Sequence, residues 1–280
     1  MNFLEWLRIL LIGVVEGITE WLPVSSTGHM ILVDELWSTS VPEIFTDSFY
    51  SVFLVVIQLG AILAVVTLFK RRLNPFSKAK APREKRDTLE LWMKVIVGCI
   101  PAGVAGLLFD DWMDEHLYNG YVVACMLILY GVFFILLEMR NQNRPFRVKR
   151  LSDISYGMAL AIGAIQILSL VPGTSRSGVT ILGAMLLGCS RFIAAEFTFF
   201  LAIPIMLGAG LLKVLKYLLN GGSFSGMPAL ILFVGMAVAY IVSLFAIRFL
   251  MGYIKKKDFR PFGYYRIILG VAVLLFFLFR

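Results

Sequence analysis

Charge is what this sequence is short of. Of its 280 residues only 16% are Asp, Glu, Lys or Arg, where about 25% is usual in a soluble domain. With 59% hydrophobic residues and a mean hydropathy of +0.85, too little polar side chain remains to cover a water-facing surface. A soluble enzyme and a disordered chain are excluded. Cysteine is scarce as well: Cys99, Cys125 and Cys189 are odd in number, lie in apolar stretches and have no metal-ligand spacing. They read as small core hydrophobes, which excludes a disulfide scaffold. The opening segment MNFLEWLRILLIGVVEGITEWLP lacks the basic start and cleavage site of a signal peptide, and Glu5, Glu16 and Glu20 interrupt it. What remains is a polytopic membrane protein.

Six stretches are long and apolar enough to cross about 30 Å of hydrocarbon as helices: 48–69, 90–109, 119–138, 193–219, 228–251 and 262–279. The net charge of +8 taken alone would point to nucleic acid, but its distribution does not. The loops 70–86, 140–150 and 252–266 carry eight, five and five Lys/Arg, 18 of the 26 in the chain. Between them, 110–116 (DDWMDEH) is acidic and 220–227 neutral. The positive-inside rule places the three basic loops in the cytoplasm and the other two outside, and no nucleic-acid partner is needed.

The regions 1–47 and 151–192 each hold an apolar segment, a break of Pro, Ser, Thr and Gly, and a second short apolar segment. The chain enters 151–192 from the cytoplasm and must leave it on the same side, so that region is re-entrant, and 1–47 is re-entrant by analogy. At an offset of 150, GVVEGITEWLPVSSTGHMIL (13–32) lies over GAIQILSLVPGTSRSGVTIL (163–182). Gly13, Glu16, Ser25, Gly28, Ile31 and Leu32 fall on Gly163, Gln166, Ser175, Gly178, Ile181 and Leu182. The expected fold is an all-α polytopic membrane protein, one domain over 1–280, with six transmembrane helices and two re-entrant helix-loop-helix pairs. Its halves, 1–145 and 150–280, form an inverted-topology repeat, which puts the site at mid-depth where the two breaks meet.

Glu16 and Glu20, at i and i+4, share one helix face. Ionisable residues inside a membrane point to function, although near a helix end they would simply snorkel. After Pro23 come Ser25, Ser26, Thr27, Gly28 and His29; one hydroxyl there suits an N-cap, which leaves the histidine unexplained. In the second break, Arg176 stands among Thr174, Ser175, Ser177 and Thr180, at the start of a returning helix. Free N–H groups, a positive dipole end and a planar guanidinium make an anion site. Arg176 neutralising Glu16 or Glu20 is the structural alternative.

At these residues the chain resembles the undecaprenyl pyrophosphate phosphatases, the bacitracin-resistance family. Glu16-Gly17-Ile18-Thr19-Glu20 fits that family's (E/Q)xxxE motif and residues 172–180, PGTSRSGVT, fit its PGxSRSxxT motif. LPVSSTGHMI, VVIQLGAILAV (55–65) and SRFIAAEF (190–197) are similar to family sequence, and the likeness runs nearly end to end. The resemblance implies hydrolysis of undecaprenyl diphosphate to undecaprenyl phosphate, which recycles the lipid carrier of cell-wall synthesis, in the bacterial cell membrane with the site open to the outer side. It also implies a divalent cation and importance for Glu16, Glu20, Ser26, His29, Ser175, Arg176 and Thr180. On this reading Arg176, Ser175, Ser177 and Thr180 hold the diphosphate, with Ser25 and Thr27 beside them. Ser26, a neighbouring hydroxyl or a water attacks, and His29 shuttles the proton. Glu20 orients His29 or, with Glu16, holds Mg²⁺ or Ca²⁺. The Phe-rich stretch 193–201 lines a lipid-open groove for the prenyl tail. The competing reading is a prenyl-phosphate or anion transporter, a flippase using the same repeat. A channel would show rings of basic residues, which are lacking. A homodimer is a further expectation.

Overall fold

Long apolar runs without charge satisfy their backbone internally as helices, which is what hydrocarbon demands. The computed structural model describes residues 3–36, 46–142 and 144–279, and it is helical, with no strand among them. In chain order the helices are α1 (Phe3–Thr19), α2 (Ser26–Leu36), α3 (Asp47–Leu68), the one-turn α4 (Lys70–Leu73), α5 (Pro82–Leu117) and α6 (Gly120–Asn141). There follow α7 (Tyr156–Gln166), which runs into a 3₁₀ turn at Ile167–Leu170, then α8 (Arg176–Leu186), α9 (Arg191–Leu219), α10 (Met227–Tyr253) and α11 (Arg260–Leu278). Thr46, Asn119, Ser155 and Ser190 cap α3, α6, α7 and α9, each accepting the N–H three residues on. Pro82, Pro228 and Pro261 occupy first turns, where the missing N–H has no intrahelical acceptor.

Among the described residues six helices are long and apolar enough to cross a membrane: α3, α5 as far as Phe109, α6, α9, α10 and α11. They fall on the six expected stretches. Most of 33–47, the connection to the first span, lies outside the described residues.

Three expectations need correction. The acidic stretch 110–116 is no loop: α5 runs through it to Leu117. The stretch 252–266 is loop only in part, because α11 begins at Arg260 and Arg266 is inside it, fully buried. The third concerns the Phe-rich stretch: Phe197, Phe199 and Phe200 have no exposed surface and belong to the main apolar core, so they line no lipid-open groove. The edge of Trp21 meets Phe199 with ring centroids 5.2 Å apart, and Phe69, at the end of α3, lies 6.4 Å from Phe199 and 5.3 Å from Phe200. This aromatic column runs from the first break toward the basic segment at Lys70–Leu73. The cysteines are free; Cys189 is buried and Cys99 half-buried, but Cys125 is exposed on α6.

Helix α6 packs on α11, α3 on α9 and α10, α1 on α10, and α5 on α7 and α9; α2 touches α6 and α11, and α8 touches α6. The α6–α11 contact is backbone to backbone. A Cβ on Gly131 would lie 2.7 Å from the Gly263 carbonyl oxygen, and one on Gly263 would lie 2.7 Å from that of Gly131. Ion pairs, each with one buried member, tie the bundle. Arg8 meets Asp34 at 3.0 Å, Arg72 meets the fully buried Glu196, and Arg191 holds Glu138, which also accepts the Phe259 N–H.

Candidate active site

Both breaks are built alike. After α1 the chain turns through Glu20–Val24 and restarts at Ser26, while after the 3₁₀ turn it restarts at Arg176. The residue before each restart, Ser25 or Ser175, has φ +72°, and these are the non-glycine residues with positive φ among those described. Such backbone is uncommon for side chains with a Cβ and marks local strain. Each serine hydroxyl caps its helix, accepting the Gly28 N–H at 3.5 Å or the Gly178 N–H at 3.2 Å. Gly173 has φ +88°, and a Cβ there would lie 2.7 Å from the Cα and carbonyl oxygen of Val123; only glycine fits.

The two breaks meet. Arg176 Nη2 donates to Glu20 Oε1 at 2.6 Å, and Ser26 Oγ donates to Glu20 Oε2 at 3.2 Å. One carboxylate therefore spans a hydroxyl of the first break and the guanidinium of the second. Arg176 also donates to the Thr198 carbonyl at 3.2 Å and lies over the Trp21 ring at 5.8 Å. Ser177 Oγ is 3.3 Å from Ser175 Oγ and donates to the Leu22 carbonyl at 3.4 Å. Thr180, fully buried, turns its hydroxyl to the carbonyls of Arg176 at 2.8 Å and Ser177 at 3.2 Å. Thr27 is half-buried on the first turn of α2.

His29 Nδ1 lies 2.7 Å from the Ser25 carbonyl. A carbonyl only accepts, so Nδ1 carries the proton and Nε2 is left with its lone pair. Nε2 accepts from the Tyr265 hydroxyl at 2.7 Å, with the two rings stacked at 5.7 Å. Glu20 is thus engaged with Ser26 and Arg176, and the groups that orient His29 are the Ser25 carbonyl and Tyr265.

Glu16 is buried and meets the Gln58 side chain, and its Oε1 has no hydrogen-bond partner. No group of three or more His, Cys, Asp or Glu gathers as a metal cage among the described residues. Mg²⁺ seldom needs one, since one or two carboxylates plus substrate phosphates commonly hold it. The orphaned Glu16 oxygen beside Glu20 fits a divalent cation of that kind.

Three residues beyond the motifs belong to the site: Gln58, Tyr265 and Arg266. Arg266 donates to the carbonyls of Gly173 at 3.0 Å, Thr174 at 2.9 Å and Pro23 at 3.4 Å. Gln58 had a sequence signal, as a lone amide within VVIQLGAILAV. Arg266 had one too, as a cation inside an apolar stretch. Tyr265 had none, being 236 residues from the histidine it touches.

Comparison with known proteins gives one family, bacitracin resistance protein BacA, matching residues 9–272. A relative from Enterococcus faecalis called undecaprenyl-diphosphatase is 54% identical over 277 residues, 98% of each chain. One of the same name from Desulfitobacterium hafniense is 55% identical over 278 residues, 99% of this chain and 98% of its own. An undecaprenyl-diphosphatase 1 from Clostridioides difficile is 55% identical over 276 residues, 99% of this chain and 97% of its own.

Proposed function

Because the chain belongs to the bacitracin resistance protein BacA family, we propose that its joined helix breaks are the place where undecaprenyl diphosphate is hydrolysed. The protein is an undecaprenyl-diphosphatase, a multi-pass membrane hydrolase that yields undecaprenyl phosphate and inorganic phosphate. The observation that carries the site assignment is Glu20, held between Ser26 and Arg176.

Cleaving a phosphoanhydride spreads negative charge over the equatorial oxygens, so positioning and electrostatics dominate. The starts of α2 and α8 offer N–H groups and positive dipole ends, and Arg176 adds fixed charge. Ser25 and Ser175 set the direction of those helix starts, Thr180 fixes the carbonyl of Arg176, and Thr27 and Ser177 add hydroxyls. Ser26 Oγ attacks the terminal phosphorus while Glu20 takes its proton. The bond to the bridging oxygen breaks, and undecaprenyl phosphate leaves with the electron pair. Water then attacks the phosphoserine and gives a proton to His29 Nε2 as the Tyr265 hydroxyl turns off that nitrogen, while Ser26 recovers its own from Glu20. Glu16 and Glu20 would hold Mg²⁺ or Ca²⁺, which supplies neutralisation of the diphosphate oxygens when bound.

The site is proposed to lie within an inverted repeat of 1–145 and 150–280, each half opening with a re-entrant pair. Three observations support this. Helices α2, α7 and α8, at 11 residues each, rise only about 16 Å, half the hydrocarbon core. Ser25 and Ser175 share both φ and cap. The helix pairings also mirror each other: α1 on α10 answers α7 on α5, α2 on α11 answers α8 on α6, and α3 on α10 answers α9 on α5. The active site opens away from the basic segments, to the outer side of the bacterial membrane, where the reaction recycles the lipid carrier of the cell wall.

The deciding experiment is phosphate release from a prenyl diphosphate by the purified protein and by Ser26→Ala. The variant is expected to lose about 10²–10⁴-fold in turnover; turnover equal to wild type overturns the nucleophile assignment. No release by the wild-type protein overturns the site.

A further inference from the structure

We infer that Arg266 is a positioning residue for this reaction, a clamp that holds the two breaks in one register from a helix belonging to neither. The inference rests on the placement of the reaction at those breaks. Arg266 has no exposed surface, and it forms no ion pair with any described carboxylate. Its acceptors are all main-chain carbonyls: Gly173 and Thr174 from the second break, Pro23 from the first, and Met126 of α6 at 3.5 Å. The guanidinium lies over the Tyr130 ring at 5.8 Å. A buried charge without a counter-ion is costly in a membrane, and four carbonyl dipoles turned toward it supply the compensation. The dependence is mutual: the Pro23, Gly173 and Thr174 carbonyls sit on irregular backbone that cannot pair as helix does.

The geometry connects the clamp to catalysis. A trans peptide points its C=O and N–H in opposite directions. Drawing the Thr174 carbonyl onto Arg266 therefore aims the Ser175 N–H the other way, as the chain enters Ser175 at φ +72° and begins α8 at Arg176. Holding Pro23 fixes the turn from which Ser25 and Ser26 follow. The distance from Ser26 to Glu20 to Arg176 is thereby set by one side chain anchored elsewhere. Gly263 and Gly270 share a face of α11 with Arg266, three and four residues away, and their lack of Cβ brings that face against α6. Gly178 leaves the remaining room, since a Cβ there would sit 3.2 Å from Arg266 Nη1. Lysine would keep the charge but, as a point donor, has no fork with which to hold both breaks.

The test uses full-length wild type, Arg266→Lys and Arg266→Met in detergent micelles, with farnesyl diphosphate as substrate. Steady-state phosphate release is read beside amide hydrogen exchange over residues 22–28 and 172–179. Arg266→Lys is expected to lower kcat about 10- to 100-fold, leave KM within about threefold, and speed exchange in both segments without substrate. Unchanged kcat overturns the clamp, and so does lowered kcat with unchanged exchange, which would mean direct action on substrate. If both variants aggregate, wild-type exchange decides: slow exchange in both segments is expected, and fast exchange in either overturns the inference. If the wild type releases no phosphate, the reaction assignment fails while the exchange comparison still tests the clamp.

Discussion

Glu20→Gln separates chemistry from packing more cleanly than any other single change. It keeps the shape of the side chain and one oxygen able to accept from Arg176, and removes one unit of charge. The pair is 2.6 Å long with side chains only 13% and 9% exposed, so solvent screens it little. A hydrogen bond to a charged group contributes about 1.5–3 kcal/mol against about 1 kcal/mol for a neutral one. The substitution therefore destabilises the fold by about 0.5–2 kcal/mol. Arg176 keeps the Thr198 carbonyl, which holds the loss below the figure for a fully orphaned buried charge. The effect on chemistry is larger. Losing the group that takes the Ser26 proton costs about 10²–10⁴ in rate, which is about 2.7–5.4 kcal/mol of barrier. Phosphate release and thermal unfolding measured on the same preparation separate the two: a small drop in Tm with a large drop in kcat is expected. Turnover within threefold of wild type, with the protein folded, refutes the role given to Glu20.

Other expectations follow from the same geometry. Tyr265→Phe removes the donor to His29 Nε2 and should lower kcat by about fivefold to tenfold, the value of one neutral hydrogen bond, as read by phosphate release. Gly173→Ala places a Cβ 2.7 Å from Val123 backbone at φ +88°; it should destabilise by more than 1 kcal/mol and lower activity, seen as a fall in Tm, whereas a wild-type Tm would mean that the turn relaxes freely. Chelation with EDTA should abolish phosphate release, and Mg²⁺ or Ca²⁺ should restore it; release that persists after exhaustive chelation counts against Glu16 as an ion ligand.

The six spans were readable because hydrocarbon leaves a chain few options, and runs of uncharged residues announce themselves. Their ends were less so. Residues 110–116 are acidic and look like loop, yet no Gly or Pro interrupts them, and α5 continues to Leu117, just before Asn119 caps the next helix. Counting basic residues by loop assigned Arg266 to the surface, because composition alone does not separate a loop from the second turn of the helix after it. Phe197, Phe199 and Phe200 gave no direction either: a helix apolar on every side has no face that says whether lipid or protein lies against it. The motif residues were legible for the opposite reason, since Glu16, Glu20, His29 and Arg176 are expensive where they stand. Their partners were partly legible. The meeting of Glu20 with Arg176 follows from opposite charge, while the meeting of His29 with Tyr265 depends on how α11 lies on α6.

The proposed placement puts a charged site halfway through an insulating film, which endangers whatever gradient that film maintains. Water that reaches Glu20 and Arg176 from one end would carry protons across if it could continue to the other. The rings of Trp21, Phe199, Phe69 and Phe200 form a chain of apolar contacts from beside Arg176 toward the basic segment that starts at Lys70, two of the contacts edge to face and the third tilted. In the proposed arrangement they are the apolar seal that would let a phosphoanhydride meet water inside the bilayer without a proton path across it.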